Sequence, residues 1–157
     1  EDKGYSYGYN STIDWSEVPS MLMAGGAVQT VVTKDALVET IKEFRDIRSE
    51  RPVSAEEFEN ARDGILRGIP GQFETQHQIL QQLTRLVVFG LPNDYFSTFS
   101  DDLSLVTLDD VHRVAEHIID PDHLKILVVG DDSVIGDSLE ELDLPVSRVD
   151  YEGQIIA

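Results

Sequence analysis

The spacing of hydrophobic residues at the start of the chain is that of β-strands. The segment 5–13 carries tyrosine at every second position early on, and this period of two predicts a strand. Residues 14–20 are expected to form a turn, and residues 21–31 a second strand. Within the second strand, Gly25 and Gly26 indicate a bulge or a close backbone approach.

The middle of the chain changes to a helical period of 3.6 residues. Thr33 is expected to cap the first helix. Ser54 with Glu57, and Thr107 with Asp110, have the three-residue spacing at which a helix start is stabilised by reciprocal capping. Prolines and glycines end these segments. The predicted helices run from Thr33 to before Pro52, from Ser54 to Pro70, over 76–89, over 93–104, and from Thr107 to before Pro121.

A continuous apolar run, Leu124–Val129, then predicts a central strand, interrupted only by Lys125. The sequence GDD at 130–132 ends it, and a short acidic helix follows. Strands first, then helices, then one further strand indicate an α+β fold with a largely antiparallel sheet and helices packed on one face. Three strands make a small sheet for a core of this size, which strands missing before residue 1 would explain.

Composition narrows the range of functions. The chain has 157 residues, no cysteine and a formal net charge of −18, with 30 acidic and 12 basic residues. The absence of cysteine excludes disulfides, thiolate metal sites and thiol nucleophiles. The acidity excludes a basic nucleic-acid footprint and disfavours anionic membrane surfaces. Two interpretations of the acidity remain: a field that attracts basic peptides, or a solvated acidic surface.

The most suggestive local motif contains two histidines and one glutamate. His112, Glu116 and His117 suggest a zinc-peptidase helix. The HxxEH and HExxH motifs place their histidines four residues apart, within about 40° on a helix, whereas five residues separate them by about 140°. His112 and His117 are therefore expected to flank the buried stripe on opposite sides and not to share a metal.

The other candidate groups are isolated. His77 and His123 are isolated and are interpreted as surface or capping residues. Asp131 and Asp132 follow the predicted strand without an accompanying histidine or glycine pattern and are interpreted as a turn. The chain contains no phosphate-binding loop or EF-hand loop. No complete catalytic constellation is therefore present in its own residues.

The chain as a whole resembles the insulinase/pitrilysin family of zinc metallopeptidases, which includes the mitochondrial-processing-peptidase-like enzymes. The resemblance covers the chain to about residue 142, and it depends on the order of several segments, none of which is specific alone. Those segments are EDKGYSYG, AGGAVQTVVTKDALVETIKEF, VSAEEFENARDGILRGIPGQFET, FGLPNDYF and VTLDDVHRVAEHIIDPDHLKILVVGD.

The resemblance implies paired homologous domains that face each other like a clamshell. In this family an N-terminal domain holds zinc through HxxEH, and a metal-free C-terminal domain contributes an arginine and a tyrosine seven residues apart. This chain has no HxxEH and resembles the second type. The resemblance therefore implies that 1–157 is a single partial domain that lacks its first strand and helix and holds no cofactor, with zinc in the partner domain. The tyrosine of the pair falls on Tyr7, and the arginine would precede Glu1 by one position.

Three functions follow from this resemblance. The first is the non-zinc half of a working endopeptidase, in which Tyr7 donates to the oxyanion and which needs an HxxEH-bearing domain or subunit and a peptide substrate. The second is a structural relative without activity, and the third is a peptide-binding module. The chain alone is expected to be inactive and to oligomerise through exposed apolar surface. Periplasmic and cytoplasmic locations both stay open.

Overall fold

The computed structural model of the protein describes residues 3–16 and 18–156. In this part of the chain it has an α+β architecture with six α-helices and two small antiparallel sheets, which confirms the predicted fold class. The strands are β1 (Asn10–Asp14), β2 (Met21–Gly25), β3 (Arg148–Val149) and β4 (Ile155–Ile156). The helices are α1 (Thr33–Asp46), α2 (Ala55–Gly68), α3 (Gln76–Val88), α4 (Tyr95–Leu105), α5 (Leu108–Ile118) and α6 (Asp132–Glu140). Strand β1 pairs with β2, and β3 pairs with β4.

Three helices begin with reciprocal capping boxes. The two predicted boxes are confirmed: Ser54 caps α2 with Glu57, and Thr107 caps α5 with Asp110. In the α5 box the Asp110 amide donates to the Thr107 hydroxyl (3.2 Å), and the Thr107 amide donates to the Asp110 carboxylate (3.1 Å). A third box, in which Thr75 caps α3 with Gln78, was not predicted. Each box satisfies backbone groups that a helix start leaves without partners.

The α5 capping box makes one carboxyl group unusually acidic. Hydrogen bonds from the Thr107 hydroxyl, and then from Arg113, lower the pKa of Asp110 from 3.8 to about 2. Because the folded-state pKa is depressed, the box stabilises α5 fully above pH 3.8 and loses this effect as pH falls through about 2.

We expect Thr107→Ala to move the pKa of Asp110 up toward 3.8, measured by NMR titration of its carboxyl carbon. Ser104→Ala, which removes a hydroxyl from α4, should leave it unchanged.

The chain divides into two compact units. The first unit contains the described residues up to Ile13, Leu22–Glu43 and the described residues from His123 onward. Here Arg148 on β3 is bonded to both ends of α6: its guanidinium donates to Asp132 (2.8 Å) and to Glu140 (3.1 Å). These two carboxylates raise the pKa of Arg148.

The second unit contains Phe44–Asp122 together with the described part of Asp14–Met21. The 3₁₀ turn Pro70–Phe73 contacts both α2 and α3. Phe73 packs edge-to-face on Phe96 of α4, with ring centroids 5.2 Å apart. The aromatic contacts and the turn therefore hold three helices of this unit together.

Few apolar side chains are shielded from solvent in the described residues. Ala36, Ala115 and Ile135 form the buried apolar set, and no large side chain is fully buried. Several large apolar side chains are instead mostly exposed, among them Val87 and Leu105. The described helices are all too short or too polar to span a lipid bilayer.

The predicted central strand over Leu124–Val129 is wrong. These six residues have no regular secondary structure, and no strand pairs with them in the described part of the chain. The physical reason is that apolar periodicity identifies a segment suited to a strand, whereas a strand exists only when its backbone pairs with a neighbour.

The two N-terminal strands are shorter than predicted. β1 begins only at Asn10, because the Ser6 hydroxyl accepts from the Gly8 amide (3.0 Å) and donates to the Gly8 carbonyl (2.6 Å), a local turn that competes with strand pairing. β2 ends at Gly25. Thr33 does not act as a cap: α1 begins at Thr33 itself, and its hydroxyl donates to the carbonyl of Thr30 (2.8 Å).

Candidate functional site

Tyr7 is the most exposed of the predicted site residues. Its side chain has a relative exposure of 111%. It has no hydrogen bond or ring contact among the described residues. The neighbouring tyrosines differ: Tyr5 is half-buried, and the Tyr9 hydroxyl is hydrogen-bonded to that of Thr40 at 2.9 Å. Tyr5 is thus partly shielded from solvent and Tyr9 has a hydrogen-bond partner, whereas Tyr7 has neither among the described residues.

The backbone on both sides of Tyr7 is held in place. Ser6 forms an antiparallel bridge with Val28, and the Gln29 amide donates to the Tyr5 carbonyl (3.1 Å). On the other side, Tyr9 is tied to α1 through Thr40. Tyr7 thus lies in a short turn between two anchored positions, so its phenol points into solvent from a fixed base.

Gly26 lies directly against this turn. A Cβ atom at Gly26 would overlap the carbonyl oxygen of Gly8 and would come within 3.0 Å of the Tyr9 ring. At Gly25 a Cβ would meet nothing within 4 Å. The predicted close backbone approach is confirmed at Gly26. The residue that Gly26 approaches, Gly8, directly follows the candidate tyrosine Tyr7 in the sequence.

The two α5 histidines have different surroundings. His112 Nε2 lies 2.7 Å from the carbonyl oxygen of Val53. A carbonyl oxygen only accepts hydrogen bonds, so Nε2 is the donor in this pair. His117 is exposed and lines a depression with Arg45, Arg48 and Asp122. His112 therefore connects α5 to the residues before α2.

The remaining predicted residues have structural partners. Asp131 is the N-cap of α6 and accepts from the Ser133 amide (3.0 Å), and Asp132 pairs with Arg148. His77 is exposed on α3. Asp131 and Asp132, interpreted as a turn, instead form the start of α6, as its N-cap and its first residue.

The depression beside His117 was not predicted from the sequence. It has a volume of about 590 Å³, and Arg45, Arg48, Glu116 and Asp122 contribute to its wall. The Arg48 guanidinium donates to the carbonyl of Glu116 (3.1 Å), one of the last carbonyls of α5, which have no partner inside the helix. Two arginines are matched by two carboxylates, so the wall carries no net formal charge that would select an anion.

Arg48 is expected to stabilise the second unit. Arg48→Ala removes the hydrogen bond to the α5 terminus and should lower the free energy of unfolding by about 1–2 kcal/mol. Arg45→Ala is the control, because Arg45 is exposed and pairs with Asp122 only at 3.9 Å, so its loss should cost less than about 0.5 kcal/mol. Urea unfolding of both variants checks this. Equal effects of the two substitutions would contradict the role of Arg48.

Metal-ligating residues do not cluster in the described chain. No group of three or more histidine, cysteine, aspartate or glutamate side chains is positioned there to hold a metal ion. Comparison with known proteins adds no assignment: no family model matches this chain, and no curated protein matches it.

The site residues that sequence reasoning missed depend on long-range contacts. Arg48 meets α5, which lies 68 residues along the chain, and no local pattern indicates this. Gly26 is different: the paired glycines were a visible signal, but only the structure distinguishes the one that touches Gly8 from the one that does not.

Proposed function

We propose that the chain is the metal-free half of a clamshell zinc metalloendopeptidase, acting on peptides together with an HxxEH-bearing domain or subunit. The ordered resemblance of five segments to the insulinase/pitrilysin family supports this. The observation that carries the proposal is Tyr7: a phenol fully open to solvent between the backbone pairing at Tyr5 and Ser6 and the hydrogen bond of the Tyr9 hydroxyl.

The chemistry proposed for Tyr7 is hydrogen-bond donation. During peptide hydrolysis the scissile carbonyl oxygen becomes negatively charged in the tetrahedral transition state. A phenol hydroxyl held near that oxygen stabilises the developing charge more than the neutral carbonyl of the ground state, which lowers the barrier. An anchored backbone reduces the entropy lost when the hydroxyl is positioned.

The chain has no HxxEH motif, so the proposal assigns the zinc to the partner. In the proposed enzyme the partner holds the metal, and this chain provides substrate contacts and the Tyr7 hydroxyl. The chain alone should therefore cleave no peptide.

The acidic composition of the chain favours positively charged peptides as substrates of the proposed enzyme. With a net charge of −18, the chain creates a negative potential that raises the local concentration of basic peptides. Cleavage of a lysine-rich peptide should then fall as salt is added, whereas cleavage of a neutral peptide of equal length should change little.

The test is zinc-dependent cleavage of a peptide by the chain assembled with its HxxEH partner. Cleavage that requires both components supports the proposal. Slow peptide release without cleavage, with zinc loaded, would favour the peptide-binding module. Neither binding nor cleavage would favour the structural relative. The two alternatives share the fold and differ from the proposal only in the fate of the peptide.

A further inference from the structure

The Leu124–Val129 segment has the composition of a strand but no strand partner. None of its backbone groups is paired with another backbone group among the hydrogen bonds of the described residues. Leu127 and Val129 have relative exposures of 80% and 91%, the largest in the segment. An apolar run with free amides and carbonyls is the pattern of an exposed sheet edge, which readily pairs with another chain.

Exposure alternates along the segment. Leu124 and Val128 are half-buried and Ile126 is 43% exposed; these three residues, together with Lys125 and Leu127, line a depression of about 480 Å³ beside α6. Lys125, Leu127 and Val129 are exposed. The exposed fraction of the side chain is therefore lower at Leu124, Ile126 and Val128 than at Leu127 and Val129, as in a strand with one side partly covered.

We propose that Leu124–Val129 pairs antiparallel with the same segment of a second copy of this chain, forming a two-fold symmetric dimer. An antiparallel pair of identical segments is self-complementary, so both copies use the same surface and the assembly closes at two. The free backbone groups become satisfied, and Leu127 and Val129 lose contact with water.

The charges at the two ends of the segment favour this orientation. Lys125 lies near the start, and Asp131 and Asp132 follow the end. Antiparallel pairing brings Lys125 of each copy toward the acidic end of the other copy. Parallel pairing would place lysine beside lysine and aspartate beside aspartate, which is unfavourable for directly opposed charges.

The register that best uses these features places Leu127 opposite Leu127. Lys125 then lies opposite Val129, where its aliphatic stem covers apolar surface. Asp131 becomes the diagonal neighbour of Lys125, at about 7–8 Å, within reach of a long side chain.

The size and charge of this contact set its strength. A six-residue strand pair buries less than the roughly 1,200 Å² of a standard stable interface, so the dimer should dissociate on dilution. Two copies, each with a net charge of −18, repel one another. Added salt shortens the screening length from about 30 Å at 0.01 M to about 8 Å at 0.15 M, so dimerisation should strengthen over this range.

The experiment measures the mass of the full chain by sedimentation from about 1 μM to about 1 mM, the range in which weak interfaces dissociate. A monomer–dimer equilibrium is expected, with amides of residues 124–129 becoming more protected from hydrogen exchange as concentration rises. Leu127→Lys should weaken dimerisation at least about tenfold, because it buries a charge at the centre of the interface.

The matched control is Val87→Lys. Val87 lies on α3 with a relative exposure of 82%, so the substitution removes a similar apolar surface and changes the net charge equally. It should leave dimerisation unchanged, and far-UV circular dichroism checks that both variants keep their helices.

Four results would overturn the proposal. These are a monomer at every concentration, equal weakening by both variants, growth into oligomers beyond the dimer, and dimerisation without protection of residues 124–129. Protection of that segment only when an extended apolar peptide is added to a monomeric chain would assign the edge to peptide binding and would likewise exclude the dimer.

Discussion

Tyr7→Phe is expected to lower kcat/KM for peptide cleavage by the assembled enzyme by about 10²–10³, the effect seen when one oxyanion donor is removed. The substitution deletes the donating hydroxyl and keeps the ring. Because Tyr7 is fully exposed and its hydroxyl has no partner in the described residues, the fold should not change. The loss should appear mainly in kcat, since the hydroxyl stabilises the transition state more than bound substrate.

The measurement is steady-state cleavage of one peptide with the partner and zinc held constant. Tyr151→Phe is the matched control: Tyr151 has a relative exposure of 96% and lies outside the Tyr7 turn, so its loss should leave kcat unchanged. Equal activity of the Tyr7→Phe variant and the parent would remove Tyr7 from the chemistry. An equal drop in both variants would indicate a general effect of losing a surface phenol.

Gly26→Ala should destabilise the turn that carries Tyr7, whereas Gly25→Ala should not. The new methyl group of Gly26→Ala overlaps the Gly8 carbonyl, and backbone cannot move aside as a flexible side chain would. Overpacking of this kind costs about 1–3 kcal/mol. At Gly25 the methyl group has open space, so the effect should stay within about 1 kcal/mol and should be slightly stabilising through the unfolded state.

Denaturant unfolding and hydrogen exchange distinguish the two glycine variants. In Gly26→Ala the Gln29 amide, which donates to the Tyr5 carbonyl, should exchange faster, because the displaced turn pulls on that bond. Cleavage by the assembled enzyme should also fall in the Gly26→Ala variant. Gly8 directly follows Tyr7, so a displacement of Gly8 would move the Tyr7 hydroxyl away from its position. Indistinguishable stability and exchange in the two alanine variants would show that the Gly8 contact is not a constraint.

Local chemistry explains which features were predictable. The capping boxes of α2 and α5 require residues only three positions apart, so the sequence contains all the information needed. The same reasoning should have found Thr75 and Gln78 at the start of α3, where a glutamine instead of an acidic residue completes the box. The histidine spacing was equally local, and the two histidines have different surroundings in the structure.

The failures have a different origin. Over Leu124–Val129 the apolar pattern is strand-like, but pairing is a property of two segments and cannot be read from one. At Ser6 a side-chain hydroxyl satisfies the Gly8 backbone, so the tyrosine alternation does not become a regular strand before Asn10. Over Leu124–Val129 the missing partner strand prevented a strand from forming. At Ser6 the hydrogen bonds between its hydroxyl and Gly8 replaced strand pairing.

The sequence by itself determined the helices, the capped starts of α2 and α5, the acidic composition and the absence of thiol chemistry, because each depends on residue type or on spacings of a few positions. Only the tertiary structure decided that Tyr7 stands open while Tyr5 and Tyr9 are engaged, and that Gly26 touches Gly8 while Gly25 touches nothing. It also decided that Leu124–Val129 has no strand partner. These outcomes depend on atoms brought together from distant parts of the chain, and contacts of that kind have no signature in local periodicity.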